Sequence, residues 1–442
     1  MILGAAGPVS PAERRVLVPR ITGLRCRSCG ADVPTGPSYV CASCFGPLEV
    51  VYDEEAVAAG LSRAAIADRP AGIWRYLELL PVEHVPARSL PVGSTPLQRA
   101  ERLGASLGIE HLWLKNDSLN PTLSFKDRVV AVATARAVEF GFDTLACAST
   151  GNLAGAVAAA AAAAGLRAYV FVPADIETAK VRQALAYGAT LVPVSGTYDQ
   201  INRLSLEIAD EYGWAFVNVN LRPYYAEGSK TLAYEVAEQL GWRLPDVVVA
   251  PIASGSLYTK VAKGFGELVR YGLVEPKEVR FVGAQPSGCA PVANAFSAGI
   301  DRPVPVRDPQ TIVKSLAIGD PADGQFAVRQ AWATGGSIES VSDDATSAAM
   351  RQVATLEGTF TEAAGGCTVG AIPLARARGM IRASDEVVAL LTGNGMKTPD
   401  ALADPASSML FKGDEIREEV RIPATFDAFE HWLEEHGGPA VA

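Results

Sequence analysis

Positive charge is in short supply in this chain of 442 residues. Its 39 Lys and Arg are outnumbered by 49 Asp and Glu, for a net charge of −10. That balance argues against a broad nucleic-acid surface while leaving room for a local basic patch. An uninterrupted membrane-length run is also missing. The nearest approach is Leu153–Val172, which holds the alanine run Ala158–Ala164 but is broken by Gly155, Gly165 and Arg167. Alanine inserts weakly into a bilayer, so a buried helix is expected there and no membrane partner. The first residues, Met1–Pro19, lack a basic start followed by an apolar core, and Arg14-Arg15 comes after a Gly/Pro-rich stretch. No secretory leader is legible in them, and a cytoplasmic location is expected. What is present, 49% hydrophobic and 20% charged residues, is the make-up of an ordinary globular protein, long enough for about three domains.

The seven cysteines fall into two groups. Cys26, Cys29, Cys41 and Cys44 form C-x2-C-x11-C-x2-C, while Cys147, Cys289 and Cys367 are scattered and read as small buried hydrophobes. Paired C-x2-C knuckles in a cytosolic chain point to tetrahedral zinc rather than to disulfides; a degenerate ribbon or a redox site is the other reading. Two thiolates so spaced can reach one ion from a tight turn, for which Ser28, Gly30, Ser43 and Gly46 supply the turn chemistry. Arg25 and Arg27 alone are too few for a nucleic-acid surface, so the ribbon is read as structural, closing a knuckle too short to have its own core.

In chain order, residues 1–23 read as an arm and 24–52 as the ribbon, ending in the strand-like Leu48–Tyr52. A helical stretch is expected from Asp53 to Leu80, then a Pro-rich connection, Pro81–Pro96. Beyond it, strand-like segments at Leu112–Leu114, Thr144–Ala148, Ala168–Pro173, Thr190–Val194, Phe216–Val219, Val247–Pro251, Val279–Ala284 and Val387–Leu391 alternate with helix-like ones such as Val129–Phe140, Ala154–Gly165 and Gly228–Leu240. The alternation predicts an α/β fold with parallel sheets flanked by helices. Ligands of such folds bind at the carboxyl ends of strands, so the turns there carry the argument.

Four of those turns have unusual chemistry. The first is Asn120–Arg128 (N-P-T-L-S-F-K-D-R), which places Lys126 where a strand passes through a turn into a helix. An amine held there in an apolar cleft is a usable nucleophile or base; the bland alternative is a solvated lysine at a helix start. The second is Ser149-Thr150-Gly151-Asn152, opening a long Ala-rich helix with a donor-rich nest, or serving only as an N-cap. The third, Ala253-Ser254-Gly255-Ser256-Leu257, reads as a phosphate cradle without the Gly-Lys-Ser/Thr of a nucleotide loop. The fourth, Leu391–Gly395, brings Thr392 out of the last strand to meet a ring nitrogen. Together they describe a ligand with an aldehyde, a phosphate, a ring nitrogen and a ring oxygen, which is pyridoxal phosphate.

On Asn120–Arg128, Ser149–Asn152, Ala253–Leu257 and Thr392–Lys397 (T-G-N-G-x-K), with Gly93–Leu97, Asn218–Thr231 and Lys314–Gly324 in support, the chain resembles the threonine synthases. These lie within the fold-type II (tryptophan-synthase-β-like) pyridoxal-phosphate enzymes, one branch of which carries an N-terminal zinc ribbon. The resemblance implies a large cofactor-binding domain at 53–130 and 215–412, a small mobile domain at 131–214, a tail at 413–442 and a homodimer. Lys126 would hold the cofactor covalently and shuttle protons, with Phe125 beside it. Asn152 would donate to the pyridine oxygen, the 253–257 turn would hold the cofactor phosphate through its amides, and Thr392 would face the ring nitrogen. Ser149, Thr150 and Arg222 would hold the phosphate of a small phosphoester amino acid. The implied reaction turns O-phospho-L-homoserine and water into L-threonine and phosphate, by γ-elimination and β-addition of water.

Two positions depart from the family pattern. Leu123 stands where glycine is commoner, and Leu153 where many relatives have a Thr or Ser that touches the substrate phosphate. Rival readings are a β-replacement enzyme acting on O-phosphoserine (cysteate-synthase-like), a Ser/Thr dehydratase, and a non-catalytic regulator that keeps the fold.

Overall fold

The computed structural model describes residues 20–149, 151–174, 178–195, 198–402, 411–412, 415–416 and 421–436. Two compact units divide between Ala401 and Leu402. The ribbon of the first unit is an antiparallel sheet of three strands, β1 (Ile21–Cys26), β2 (Asp32–Val33) and β3 (Leu48–Tyr52), in the order β2-β1-β3. Its register pairs Cys26 with Leu48 and Arg25 with Glu49. Burying Leu24, Cys26, Leu48 and Val50 while exposing Arg25 seats one face on the body of the protein.

The helical stretch expected over Asp53–Leu80 is broken into two short helices, Glu54–Gly60 and Arg63–Ala67, and a 3₁₀ segment, Ile73–Leu79. Asp53 and Ser62 each accept a hydrogen bond from the backbone N–H three residues on, and each starts a new helix. Pro70 and Gly72, the latter at φ 128°, end the run before Ile73.

The body follows with β4 (Leu97–Arg99), β5 (His111–Asn116), β6 (Thr144–Ala148), β7 (Arg167–Pro173), β8 (Thr190–Val194), β9 (Ala215–Phe216), β10 (Val247–Pro251), β11 (Arg280–Pro286), β12 (Ser337–Val341) and β13 (Glu386–Leu391). Six of these form a sheet in the order β12-β11-β10-β13-β5-β4, parallel throughout except for the short antiparallel edge strand β4. A second, wholly parallel sheet has the order β8-β7-β6-β9. Every residue of β6, β10 and β13 is buried, as expected of parallel strands covered on both faces. The strand expected over Phe216–Val219 is only two residues long, because Val219 N–H turns back to Phe216 O. β4 and β12 were not among the expected strands: the first has three residues, and the second, Ser-Ile-Glu-Ser-Val, has only two apolar residues in five.

In the second unit, Phe411–Lys412 pairs antiparallel with Glu415–Ile416, and Phe426–His436 is helical.

A fully buried ionic network fixes the ground under Lys126. Arg128, with none of its surface exposed, donates to both oxygens of Asp117 at 2.7 and 2.9 Å and to both oxygens of Glu235 at 2.7 Å. Lys115 donates to Glu235 at 2.6 Å and to the carbonyl of Thr95 at 2.6 Å. Removing one partner of such a network costs several kcal/mol, about 3–5 for a buried pair. The end of β5 and the first turn of the helix Lys126–Glu139 are therefore held as one piece.

Candidate active site

Three neighbouring strands of the large sheet, β10, β13 and β5, end on the same edge. They lead into the Ser254 turn, Thr392 and the Lys126 turn respectively, which makes this edge the crevice at which open parallel sheets bind ligands. The Asn120–Arg128 turn is closed by its own side chains. Asp127 accepts from the Thr122 backbone N–H and from its hydroxyl, each at 2.7 Å, and Asn120 Oδ1 accepts from Gly93 N–H at 3.0 Å. Burial pushes the Asp127 carboxyl up to about 6, against the lowering effect of the two Thr122 bonds and nearby Lys397. Leu123 sits inside this turn at φ 63°, a conformation that is nearly free for glycine and strained for leucine. The departure legible in the sequence is thus a real backbone strain.

The Phe125 N–H donates to the carbonyl of Thr392 at 2.8 Å, and Ser124 pairs with Gly393 in an isolated bridge. Lys126 is half-buried, and its ammonium donates to the Tyr225 hydroxyl at 3.2 Å. Thr392 and Asn152 converge on one buried acid: the Thr392 hydroxyl donates to Glu362 Oε1 at 3.4 Å and the Asn152 amide to Glu362 Oε2 at 2.9 Å. Burial raises the Glu362 carboxyl above its ordinary range, countered by the Asn152 bond and by the positive charges of Lys397 and Lys126. Gly393 permits the approach, since a Cβ there would lie 2.3 Å from the Glu362 carboxyl carbon.

The 253–257 turn opens the helix Ser256–Arg270 with no side-chain cap. Apart from a 3.5 Å contact from Ser256 N–H to Ser254 Oγ, its first amides face outward for a ligand. Gly255 holds φ 94°, and a Cβ on it would meet the Asp323 carbonyl at 2.8 Å. The helix Asn152–Ala164 likewise starts without a side-chain cap, at Gly151.

Arg222 lies at the start of the helix Arg222–Glu227 and donates to Asp323 Oδ2 at 2.9 Å. Asp323 donates its own N–H to the Ser254 carbonyl at 2.8 Å. These contacts place Arg222 on the side of the Ser254 turn. The Ser149 N–H donates to the Phe171 carbonyl at 3.2 Å and its hydroxyl accepts from Gly151 N–H at 3.4 Å, and Thr150 lies outside the described residues. Leu153 is buried. Lys397 donates to Gln183 Oε1 at 2.9 Å, linking the end of β13 to the helix Thr178–Ala186 beside the small sheet.

Cys26, Cys29, Cys41 and Cys44 gather at one point, all four sulfurs within 4.8 Å of one another. Cys26 and Cys44 are 3.5 Å apart, and Cys29 and Cys41 3.7 Å apart. Despite the opposing effect of burial, backbone N–H groups of Cys29 and Ser28 bring the Cys26 thiol down to about 6.

Glu362, Asp323 and Tyr225 went unmarked as site residues in the sequence. Tyr225 and Asp323 at least fall within stretches singled out for their motifs, Asn218–Thr231 and Lys314–Gly324. Glu362 gave one faint signal, a lone acid immediately before the Ala- and Gly-rich run 363–371.

Comparison with known proteins agrees with this geometry. The family described as pyridoxal-phosphate dependent enzyme matches residues 88–393. The chain is 34% identical over 379 residues to the threonine synthase of Methanocaldococcus jannaschii, covering 85% of this chain and 93% of that one. It is 33% identical over 383 residues to the threonine synthase of Methanosarcina acetivorans, covering 86% and 93%. Among solved structures, threonine deaminase isoform 2 from Solanum lycopersicum superposes with a TM-score of 0.60 at 20% identity, covering 92% of this chain and 97% of that one. Maize serine racemase gives a TM-score of 0.58 at 21% identity over 68% and 89%, a likeness of fold alone. With the family match across most of its length and these relatives above 30% identity, the chain belongs to the threonine synthase family of pyridoxal-phosphate dependent enzymes.

Proposed function

We propose that the chain converts O-phospho-L-homoserine and water into L-threonine and phosphate, with pyridoxal phosphate bound at the Lys126 edge of the large sheet. The observation that carries the reading is the convergence of Lys126, Thr392, Asn152 and Glu362 at the ends of β5 and β13, in a chain that spans 93% of its threonine synthase relatives. The residues present fit the cofactor. The uncapped helix at Ser256, opened by a glycine that no other residue can replace without clash, offers amides to a phosphate. Thr392 offers a neutral hydroxyl rather than an acid to the ring nitrogen, Asn152 an amide to the ring oxygen, and Lys126 an amine. Bound there, the cofactor supplies an electron sink for charge developing at the substrate Cα.

The protein's part is proton handling and placement. Lys126 moves the protons at Cα and Cβ, with the Tyr225 hydroxyl at 3.2 Å steadying its ammonium. Ser149, Thr150 and Arg222 hold the substrate phosphate in this reading, with Leu153 adding no donor. Residues 131–214 form the small mobile domain and 53–130 with 215–412 the large one. β9 pairs with β6, however, so the small sheet reaches Phe216. The four cysteines hold a structural zinc: sulfurs about 2.3 Å from one tetrahedral ion stand roughly 3.8 Å apart, near the 3.5 and 3.7 Å of the two close pairs. A cytoplasmic homodimer completes the proposal. Among the described residues, no helix is long and apolar enough to cross a membrane.

The test is a steady-state assay of the purified chain with both phosphoesters. Phosphate and threonine from O-phosphohomoserine are expected, and turnover of O-phosphoserine alone refutes the assignment. Lys126→Ala should abolish both turnover and the absorbance of lysine-bound cofactor; unchanged activity refutes the role of Lys126.

A further inference from the structure

The ribbon reaches the phosphate turn through one carboxylate. Arg27 lies between the first two cysteines and points away from them. Its guanidinium donates to Asp323 Oδ1 at 3.0 Å and lies 3.8 Å over the ring of Phe326. The other oxygen of Asp323 takes Arg222 at 2.9 Å. Asp323, only 5% exposed, is bonded through its own N–H to the Ser254 carbonyl. It leaves Gly255 so little room that a Cβ there would come within 3.2 Å of the Asp323 Cβ. A carboxylate so placed repels a phosphate dianion held by the same turn unless its charge is masked. Two guanidiniums mask it, and one of them belongs to the ribbon.

The ribbon also grips the other guanidinium's segment. Gly36 N–H donates to the Tyr224 hydroxyl at 3.1 Å, and that hydroxyl donates to the Gly36 carbonyl at 3.0 Å. Ser38 N–H donates to the Asn220 carbonyl at 2.8 Å, and the Tyr52 hydroxyl to Glu227 at 2.9 Å. Both cations that face Asp323 are therefore set by the ribbon, Arg27 directly and Arg222 through the segment 220–227.

We infer that Arg27 is a positioning residue for cofactor binding. It neutralises Asp323 beside the 253–257 turn and so makes affinity for the cofactor phosphate depend on an intact ribbon. The inference rests on the reading of that turn as the phosphate cradle. Its sense differs from a merely structural ribbon, because a charge-masking role disappears when the charge it masks is removed.

The experiment strips pyridoxal phosphate from the full zinc-loaded chain and retitrates it, reading the dissociation constant from cofactor absorbance and fluorescence quenching. Arg27→Met is expected to weaken binding by about fivefold or more, a typical coupling between linked sites, with zinc content unchanged and the titration run well below a melting temperature that the broken ion pair lowers. Adding Asp323→Asn to Arg27→Met should restore most of the loss. Arg25→Ala, which breaks an exposed ribbon pair with Asp32, should change nothing. Chelation of the wild-type chain should weaken binding as Arg27→Met does. Wild-type affinity in Arg27→Met, or a loss that Asp323→Asn leaves in place, overturns the inference. Should Arg27→Met fail to fold, Asp323→Asn alone decides: binding at least as tight as wild type supports the charge argument, and weaker binding refutes it. A wild-type chain that takes up no pyridoxal phosphate refutes the proposed function itself, whereas binding that ignores Arg27 refutes only this coupling.

Discussion

The side-chain amide of Asn152 donates to the Glu362 carboxyl at 2.9 Å across 210 positions of sequence. The same carboxyl takes the Thr392 hydroxyl, so one acid touches both residues assigned to the cofactor ring. Burial holds it above the ordinary carboxylate range. A buried acid at that point sets the orientation of both donors and the charge beside Lys126. Glu362→Gln keeps the shape and removes the charge, and kcat/KM is expected to fall by about tenfold to a hundredfold, the usual cost of losing an orienting partner. Because the carboxyl protonates at a higher pH than usual, wild-type activity should decline as pH drops through that raised value. The decline should be missing in Glu362→Gln, and an acid limb of kcat/KM that persists there contradicts the role.

The turns that hold Lys126, Thr392, Asn152 and Ser254 were legible as candidates because each carries its own local signal: strand before, helical turn after, small polar residues between. Glu362 and Asp323 were not, because their roles exist only once distant elements meet. Nothing local to Thr361–Ala363 says that Thr392 and Asn152 will arrive there. The same limit explains the stretch 53–80, where apolar spacing suggested one helix but the caps at Asp53 and Ser62 cut it into pieces. Arg222 shows the mixed case. Its residue type was visible and its partner, Asp323, was not.

Leu123 is the one place where the defining turn works against its own backbone. The left-handed conformation at φ 63° costs a non-glycine residue about 1–2 kcal/mol. Glycine gives back roughly 0.5–1 kcal/mol in chain entropy. The side chain is 38% exposed, so more than half of it is buried, and removing it gives up about 1–2 kcal/mol of burial. Strain relief is therefore offset by lost burial and chain entropy, and Leu123→Gly, although it deletes a whole side chain, is expected to change stability by no more than about 1 kcal/mol, read as a nearly unmoved urea midpoint at unchanged slope. A lower midpoint means that the leucine side chain makes a contact worth more than the strain.

The buried network around Arg128 gives a stability that depends on pH. Burial pushes the Glu235 carboxyl up, but Arg128 and Lys115 outweigh it and hold the group down at about 2. A carboxyl depressed in the folded state contributes stability that is complete above its unfolded value, near 4.3. That stability drains away as pH falls from there toward 2. Acid unfolding followed by circular dichroism should steepen within this window. Glu235→Gln, at a cost in stability at neutral pH of roughly 3–5 kcal/mol, should flatten the dependence. An equally steep acid slope in the variant assigns the effect to other carboxylates.

Zinc removal separates the ribbon's two duties. Four sulfurs within 4.8 Å form a ligand set whose binding energy is folding energy, since no such site exists in the unfolded segment. Cys26→Ser removes a buried corner together with the thiol that its backbone neighbours bring down to about 6, so metal content should drop from one ion per chain toward zero. The ribbon strands should then become cleavable by protease while the parallel sheets, which have their own core, resist. With Arg27 and the 220–227 segment no longer braced, cofactor affinity should fall. At saturating pyridoxal phosphate, turnover should fall only in part, because Lys126, Thr392 and Glu362 are held by β5, β13 and the Arg128 network rather than by the ribbon, whereas Arg222 and Tyr225 lie in the loosened segment and should show chiefly as a raised KM. A native chain that contains no metal rules out the zinc assignment, and a kcat that collapses along with the metal places the ribbon in the chemistry rather than beside it.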